Sequence, residues 1–123
     1  MAVHKLTADQ QRRVEEIQGF QRTADHLKHL VTELDSNRGG QTRTIEQLCE
    51  RIAKETAQLR QRALTANIGT VGDVAGAMSV MAGRGGGIHM KVRGLTDGVN
   101  SLLMQLEQAL KHAMTPAEPK KPA

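Results

Sequence analysis

The stretch IHMKVRGLTDGVNSLLMQLEQALKHAM, residues 88–114, carries the pattern from which the rest of the chain can be read. Apolar or small residues recur at Ile88, Val92, Leu95, Val99, Leu102, Leu106, Ala109 and Ala113, in alternating steps of four and three. A period near 3.5 keeps one narrow edge of an α-helix apolar and asks for another helix laid along it, as in a coiled coil. Lys111 and His112 suit the negative end of the helix dipole and Pro116 bars continuation, so a helix over 88–114 is predicted. Leu103, Leu110 and Met114 broaden the strip toward its end, which predicts two neighbours there rather than one.

The same grammar occurs near the start of the chain. Ile17, Phe20, Ala24, Leu27, Val31 and Leu34 alternate in steps of three and four, with Arg, Glu, Gln and Lys between them. Thr7 and Gln10 have the spacing of a capping box, in which each side chain satisfies the other's backbone N–H, so a helix over 7–35 is predicted. Asp35-Ser36-Asn37-Arg38-Gly39-Gly40 ends it, because Asn and Gly accept the left-handed backbone that stops many helices. A turn over 36–43 then reverses the chain.

Thr44 and Gln47 form a second possible capping box, followed by a stripe of Ile45, Leu48, Cys49, Ile52, Leu59, Ala63 and Leu64. Within it Cys49, Thr56 and Ala63 make a column of small residues seven apart, where a neighbouring helix can approach closely. Beyond Ala66 the glycines take over: Gly69, Gly72, Gly76, Ser79 and Gly83 fall in steps of three and four on one helical face. Ile68, Val71, Val74, Ala75, Met78, Met81 and Ala82 occupy the other side. Four glycines here cost roughly 4 kcal/mol of helix propensity relative to alanine, which only a close tertiary contact along the bare face offsets. Gly94 and Gly98 on the last helix are the expected receivers of that face. The second helix is read as continuous over 44–82, and the run Gly83-Arg84-Gly85-Gly86-Gly87 as the turn before the third.

Composition narrows the function classes. The 123 residues contain no Trp and no Tyr, and Phe20 is the only Phe, so the rings that commonly anchor pockets are nearly missing. Net charge is +4, yet residues 1–40 hold six basic and six acidic side chains, a solvated pattern rather than a clustered cationic face. Nucleic-acid binding, which leans on clustered cations and stacking aromatics, is therefore only a second alternative. Met1 to Arg13 lack the apolar core of a signal peptide, and no run of about 20 apolar residues is present. A cytoplasmic location is expected, with peripheral membrane attachment as an alternative.

The pattern offers no convergent chemical site. Asp25, His29 and Glu33 stack at four-residue intervals with His26 beside them, but Arg22, Lys28 and Thr32 surround them as on any solvated helix face, so no metal is expected. Cys49 stands where a small apolar residue is wanted and has no His within a helical turn to activate it. The glycine run 83–87 lacks the Gly-Lys-Ser/Thr ending and preceding strand of a phosphate-cradling loop. No cofactor, substrate or catalytic residue is expected.

The sequence thus predicts an all-α protein: long antiparallel helical hairpins forming a coiled-coil-like bundle of three to four helices over 7–114, with a Gly-rich turn, a disordered start at 1–6 and a disordered C-terminal tail at 115–123. Its expected function is non-enzymatic, as a small scaffold or adaptor subunit that pairs with itself or another helical protein. The expected partner-facing residues are Ile17, Phe20, Leu27, Val31 and Leu34 on the first helix, and Val92, Leu95, Val99, Leu102 and Leu106 on the last. The close helix contact is assigned to Gly69, Gly72, Gly76, Ser79 and Gly83. A membrane-associating role for the glycine-marked segment is the first alternative: at 1.5 Å per residue 66–83 spans about 27 Å, but Asp73 near its middle is costly in lipid.

Overall fold

The computed structural model describes residues 6–115, and the disorder expected at 1–6 and 115–123 falls, but for Leu6 and Thr115, outside the described residues. These residues form a helical bundle of four helices: α1 (Ala8–Ser36), α2 (Thr42–Thr65), α3 (Gly69–Gly83) and α4 (Ile88–Met114). Each helix packs on its chain neighbours and α4 returns to α1, while the diagonal pairs α1/α3 and α2/α4 stay apart. Adjacent helices run antiparallel. Gln10 near the start of α1 donates to the carbonyl of Thr115 just past α4, and Arg38 beyond the end of α1 meets His89 at the start of α4. Met78 and Met81 of α3 lie over Gly98 and Gly94 of α4 in the reversed order.

The start of α1 follows the capping prediction. Gln10 N–H donates to Thr7 Oγ1 at 3.1 Å, and Thr7 N–H donates to Gln10 Oε1 at 2.9 Å. Its end does not use a left-handed residue. Asn37 has φ −104°, and its side-chain amide donates to the Glu33 carbonyl at 2.7 Å, which satisfies a terminal acceptor without the backbone flip. The Thr44–Gln47 box does not form, because α2 begins two residues earlier at Thr42 with Gln41 as its N-cap.

The expected continuous helix 44–82 is broken in two. Asn67 adopts φ +59°, its N–H donates to the Leu64 carbonyl at 3.2 Å, and the Ile68 N–H donates to the Ala63 carbonyl at 2.8 Å. This is a Schellman stop with Asn in the left-handed position, and Ile68, buried to 7% exposure, is its hydrophobic latch. Arg13 of α1 adds a bond from Nη1 to the Ala66 carbonyl at 2.6 Å. The chain therefore reverses at 66–68, and α3 folds back along α2 rather than extending it.

All of the apolar ladders converge inward. Ile17, Leu27 and Leu34 from α1, Ile52 and Leu59 from α2, Val71 and Met78 from α3, and Leu95, Leu102 and Leu106 from α4 are among the fully buried side chains. Thr56 is the one buried polar residue among those described, and its hydroxyl donates to the Ile52 carbonyl at 2.7 Å. At about 1.5 Å per residue the 15-residue α3 reaches only about 22 Å, roughly half the length of α1. The expected broad seam at the end of α4 is accordingly incomplete: Leu103 and Leu110 are half-buried and Met114 is 49% exposed, because α3 does not reach them.

Candidate functional site

The ten residues read from sequence as partner-facing lie inside this chain's own bundle. Ile17, Phe20, Leu27, Val31, Leu34, Val92, Leu95, Val99, Leu102 and Leu106 are each no more than 4% exposed. That expectation is corrected: the chain's own helices cover both strips, since the break at Asn67 supplies a fourth helix and completes the enclosure. Any surface that meets another molecule must be built from other residues.

The glycine face divides in an informative way. Gly72 is buried against α2, where a Cβ would sit 3.5 Å from Leu64 and 3.6 Å from the Arg60 carbonyl. Ser79 Oγ donates to the Ala53 carbonyl at 3.0 Å, an acceptor that Thr56 of the same helix also uses at 3.1 Å. These two residues make a close approach of α3 to α2. Gly76 is half-buried, and only the side chain of Arg60 lies over it, with Cδ 3.0 Å from the would-be Cβ. Gly69 and Gly83, at the helix ends, have no atom within 4 Å of a would-be Cβ and make no close contact, so the assignment of those two is corrected.

Gly94 and Gly98 do not receive the glycine face. They lie under the opposite, aliphatic side of α3, where Met81 and Met78 occupy the space that two side chains would otherwise need. The glycines of α4 are therefore sockets for methionines, and the bare face of α3 turns toward α2 and solvent. Val71, Ala75, Met78 and Ala82, the apolar side that a lipid-inserting helix would present, are buried in the core. Among the described residues no helix is long and apolar enough to cross a membrane.

Because the residues between α2 and α3 are so small, an open groove of about 760 Å³ runs along the outside of this pair. Ala57, Gly76 and Ala77 line its low middle, Val80 stands 57% exposed on one wall, and Lys54, Arg60 and Asp73 mark its rim. The expected signal for it in the sequence is the bare stripe itself, but which of its sides faces a neighbour and which stays open depends on the rotation of α3 about its axis.

The His, Cys and carboxylate side chains stay dispersed. Among the described residues no group of three His, Cys, Asp or Glu side chains converges as a metal site, and Asp25, His29 and Glu33 remain exposed along α1. His26 instead pairs across to α2, its Nε2 3.1 Å from Glu55 Oε1. Cys49 is buried as a free thiol within the core. Residues 84–87 join α3 to α4, with Gly86 at φ +141° supplying the turn. No known family model, curated protein or solved structure matches this chain.

Proposed function

We propose that this chain is a non-enzymatic helical interaction protein, a small scaffold or adaptor subunit, and that it holds its partner in the α2/α3 groove. One observation carries the reading. A solvent-facing helix gains about 1 kcal/mol for each glycine replaced by alanine, yet α3 keeps Gly76 beside Ala77 and Ala57 on an open surface with Val80 57% exposed. Packing inside the bundle accounts for Gly72 and Ser79, but it leaves Gly76 beneath a single flexible arginine. A ridge of side chains from another helix fits such a trough by the ordinary ridges-into-grooves rule. The groove's mixed rim of Lys54, Arg60 and Asp73 supplies polar contacts around a small apolar floor, as interaction surfaces commonly do.

The test is a photo-crosslinking residue placed at Ala77 in the full chain in its native host, with a control at the exposed Gln108 of α4. The reading expects a discrete adduct of defined mass from position 77 and none from 108. Equal labelling at both positions, or at neither, refutes the groove as the partner surface.

A further inference from the structure

A second groove, between α1 and α2, carries a different chemistry. It is open, about 480 Å³, and its lining includes Arg22, Thr23 and His26 from α1 and Gln58, Leu59 and Arg62 from α2. Arg62 is held in place from below. Its guanidinium sits 5.0 Å from the ring centre of Phe20, the only aromatic residue in the chain, and Nη1 donates to Thr23 Oγ1 at 3.3 Å. Thr23 passes its own hydroxyl hydrogen to the Gly19 carbonyl at 3.3 Å, so it acts toward Arg62 purely as an acceptor. Arg22 extends back along α1, with Nη2 3.6 Å from the point where a Cβ on Gly19 would lie.

Neither arginine has an acid. Arg12, Arg13, Arg38 and Arg51 each lie within 4.0 Å of a carboxylate, whereas among the described residues no carboxylate comes that close to Arg22 or Arg62; the same holds of Arg43, Arg60, Arg84 and Arg93, but Arg22 and Arg62 line one groove. The one carboxylate bordering the groove, Glu55, turns Oε1 to His26 Nε2 at 3.1 Å and to Arg51 Nε at 4.0 Å, while its Oε2 is buried without a hydrogen-bond partner. Two guanidinium groups from different helices therefore border one groove with most of their N–H donors unspent. Guanidinium forks match the paired oxygens of phosphate, and two forks from two directions suit a tetrahedral anion better than a planar carboxylate, which a single fork saturates.

We propose that the α1/α2 groove binds a phosphate group, as free phosphate or a small phosphate monoester, through Arg22 and Arg62. Arg62 is the pre-ordered half of the site and Arg22 the half that closes over the anion. This site shares only Gln58 with the α2/α3 groove, and either assignment can fail without the other.

The test uses the full isotope-labelled chain titrated with inorganic phosphate by NMR, with sodium chloride adjusted to hold ionic strength constant. Saturable shifts are expected at the amides of Gly19, Thr23 and Gln58 and at the side-chain Nε signals of both arginines. Arg22→Gln should weaken binding by at least about tenfold, the loss that removing a charge-assisted hydrogen bond implies. Arg62→Lys, which keeps a cation and an aliphatic stem above Phe20, should weaken it similarly while leaving the fold intact; Arg60→Gln, outside the groove, should not change it. Non-saturating shifts, shifts reproduced by chloride, or binding that survives Arg22→Gln would overturn the site. So would a short DNA duplex that binds when inorganic phosphate does not, since that result describes general polyanion attraction.

Discussion

Gly98→Ala isolates the α3/α4 register in a single methyl group. In an exposed helix this change stabilises by about 1 kcal/mol through backbone entropy. Here the new Cβ would lie 2.6 Å from Met78 Cγ and 2.8 Å from its Sδ, and Met78 is only 1% exposed. The clash falls on the middle of a side chain with no free space beside it, so α4 must shift or Met78 must leave its rotamer. Such overpacking costs about 1–3 kcal/mol, and full burial places it near the upper figure, for a net loss of about 2 kcal/mol. At roughly 4 °C per kcal/mol for a chain of this size, the melting temperature should fall by about 8 °C. Gly94→Ala is the internal control. Its Cβ would fall on Met81 Sδ and lie 2.9 Å from Cε, but Met81 is half-buried and its flexible end can swing into solvent. The relocated thioether forfeits about 1 kcal/mol of burial, which the helix-propensity gain offsets. Thermal unfolding followed by circular dichroism should therefore separate two identical substitutions four residues apart on one helix. If Gly98→Ala melts at or above the wild type, Met78 does not seat against Gly98 and the packing of α3 on α4 is misread.

Three further outcomes check other parts of the structure. Leu102→Asp places a carboxylate at a fully buried position of α4 and should cost more than about 4 kcal/mol, leaving a chain with much of its helicity lost; wild-type circular dichroism and melting would show that the α4 strip is not in the core. Asn67→Ala should destabilise by about 1 kcal/mol in urea unfolding while Asn67→Gly is tolerated, because φ +59° strains a Cβ that lacks the short polar group of Asn; equal stability of the two variants would refute the left-handed stop. Gly72→Leu should be strongly destabilising and Gly76→Ala neutral or stabilising, since the first pushes into Leu64 and the Arg60 carbonyl and the second only displaces the Arg60 side chain; the reverse order in melting temperature would mean that the α2/α3 contact lies elsewhere along the stripe.

Much of the fold was legible because hydrophobic period is a local property. The ladders 17–34 and 88–113 marked two long helices and about half of the core, and the spacing of Thr7 and Gln10 marked where α1 begins. Helix α4 runs over the residues expected of it. What misled was the apolar pattern through 66–68, which continues across Asn67 without a gap. An Asn two residues before a Gly is a usable stop signal, and the helix expected over 44–82 takes no account of it. A stop of this kind is stabilised by Ile68 reaching the core and by Arg13 reaching Ala66 from another helix, and neither contact is visible along the chain.

The sequence alone settles that this chain is helical and that each helix has an edge to bury, because a period near 3.5 cannot be satisfied by a strand. It does not settle what buries those edges. Only the three-dimensional arrangement decided that the seams close on one another within the chain, that methionines rather than glycines fill the sockets of α4, and that Arg22 and Arg62 border one groove without a counter-ion. The reason is physical: period fixes the direction in which a side chain leaves its own helix, whereas its neighbours depend on the rotation and register of other helices, and these are fixed by contacts between residues far apart in sequence.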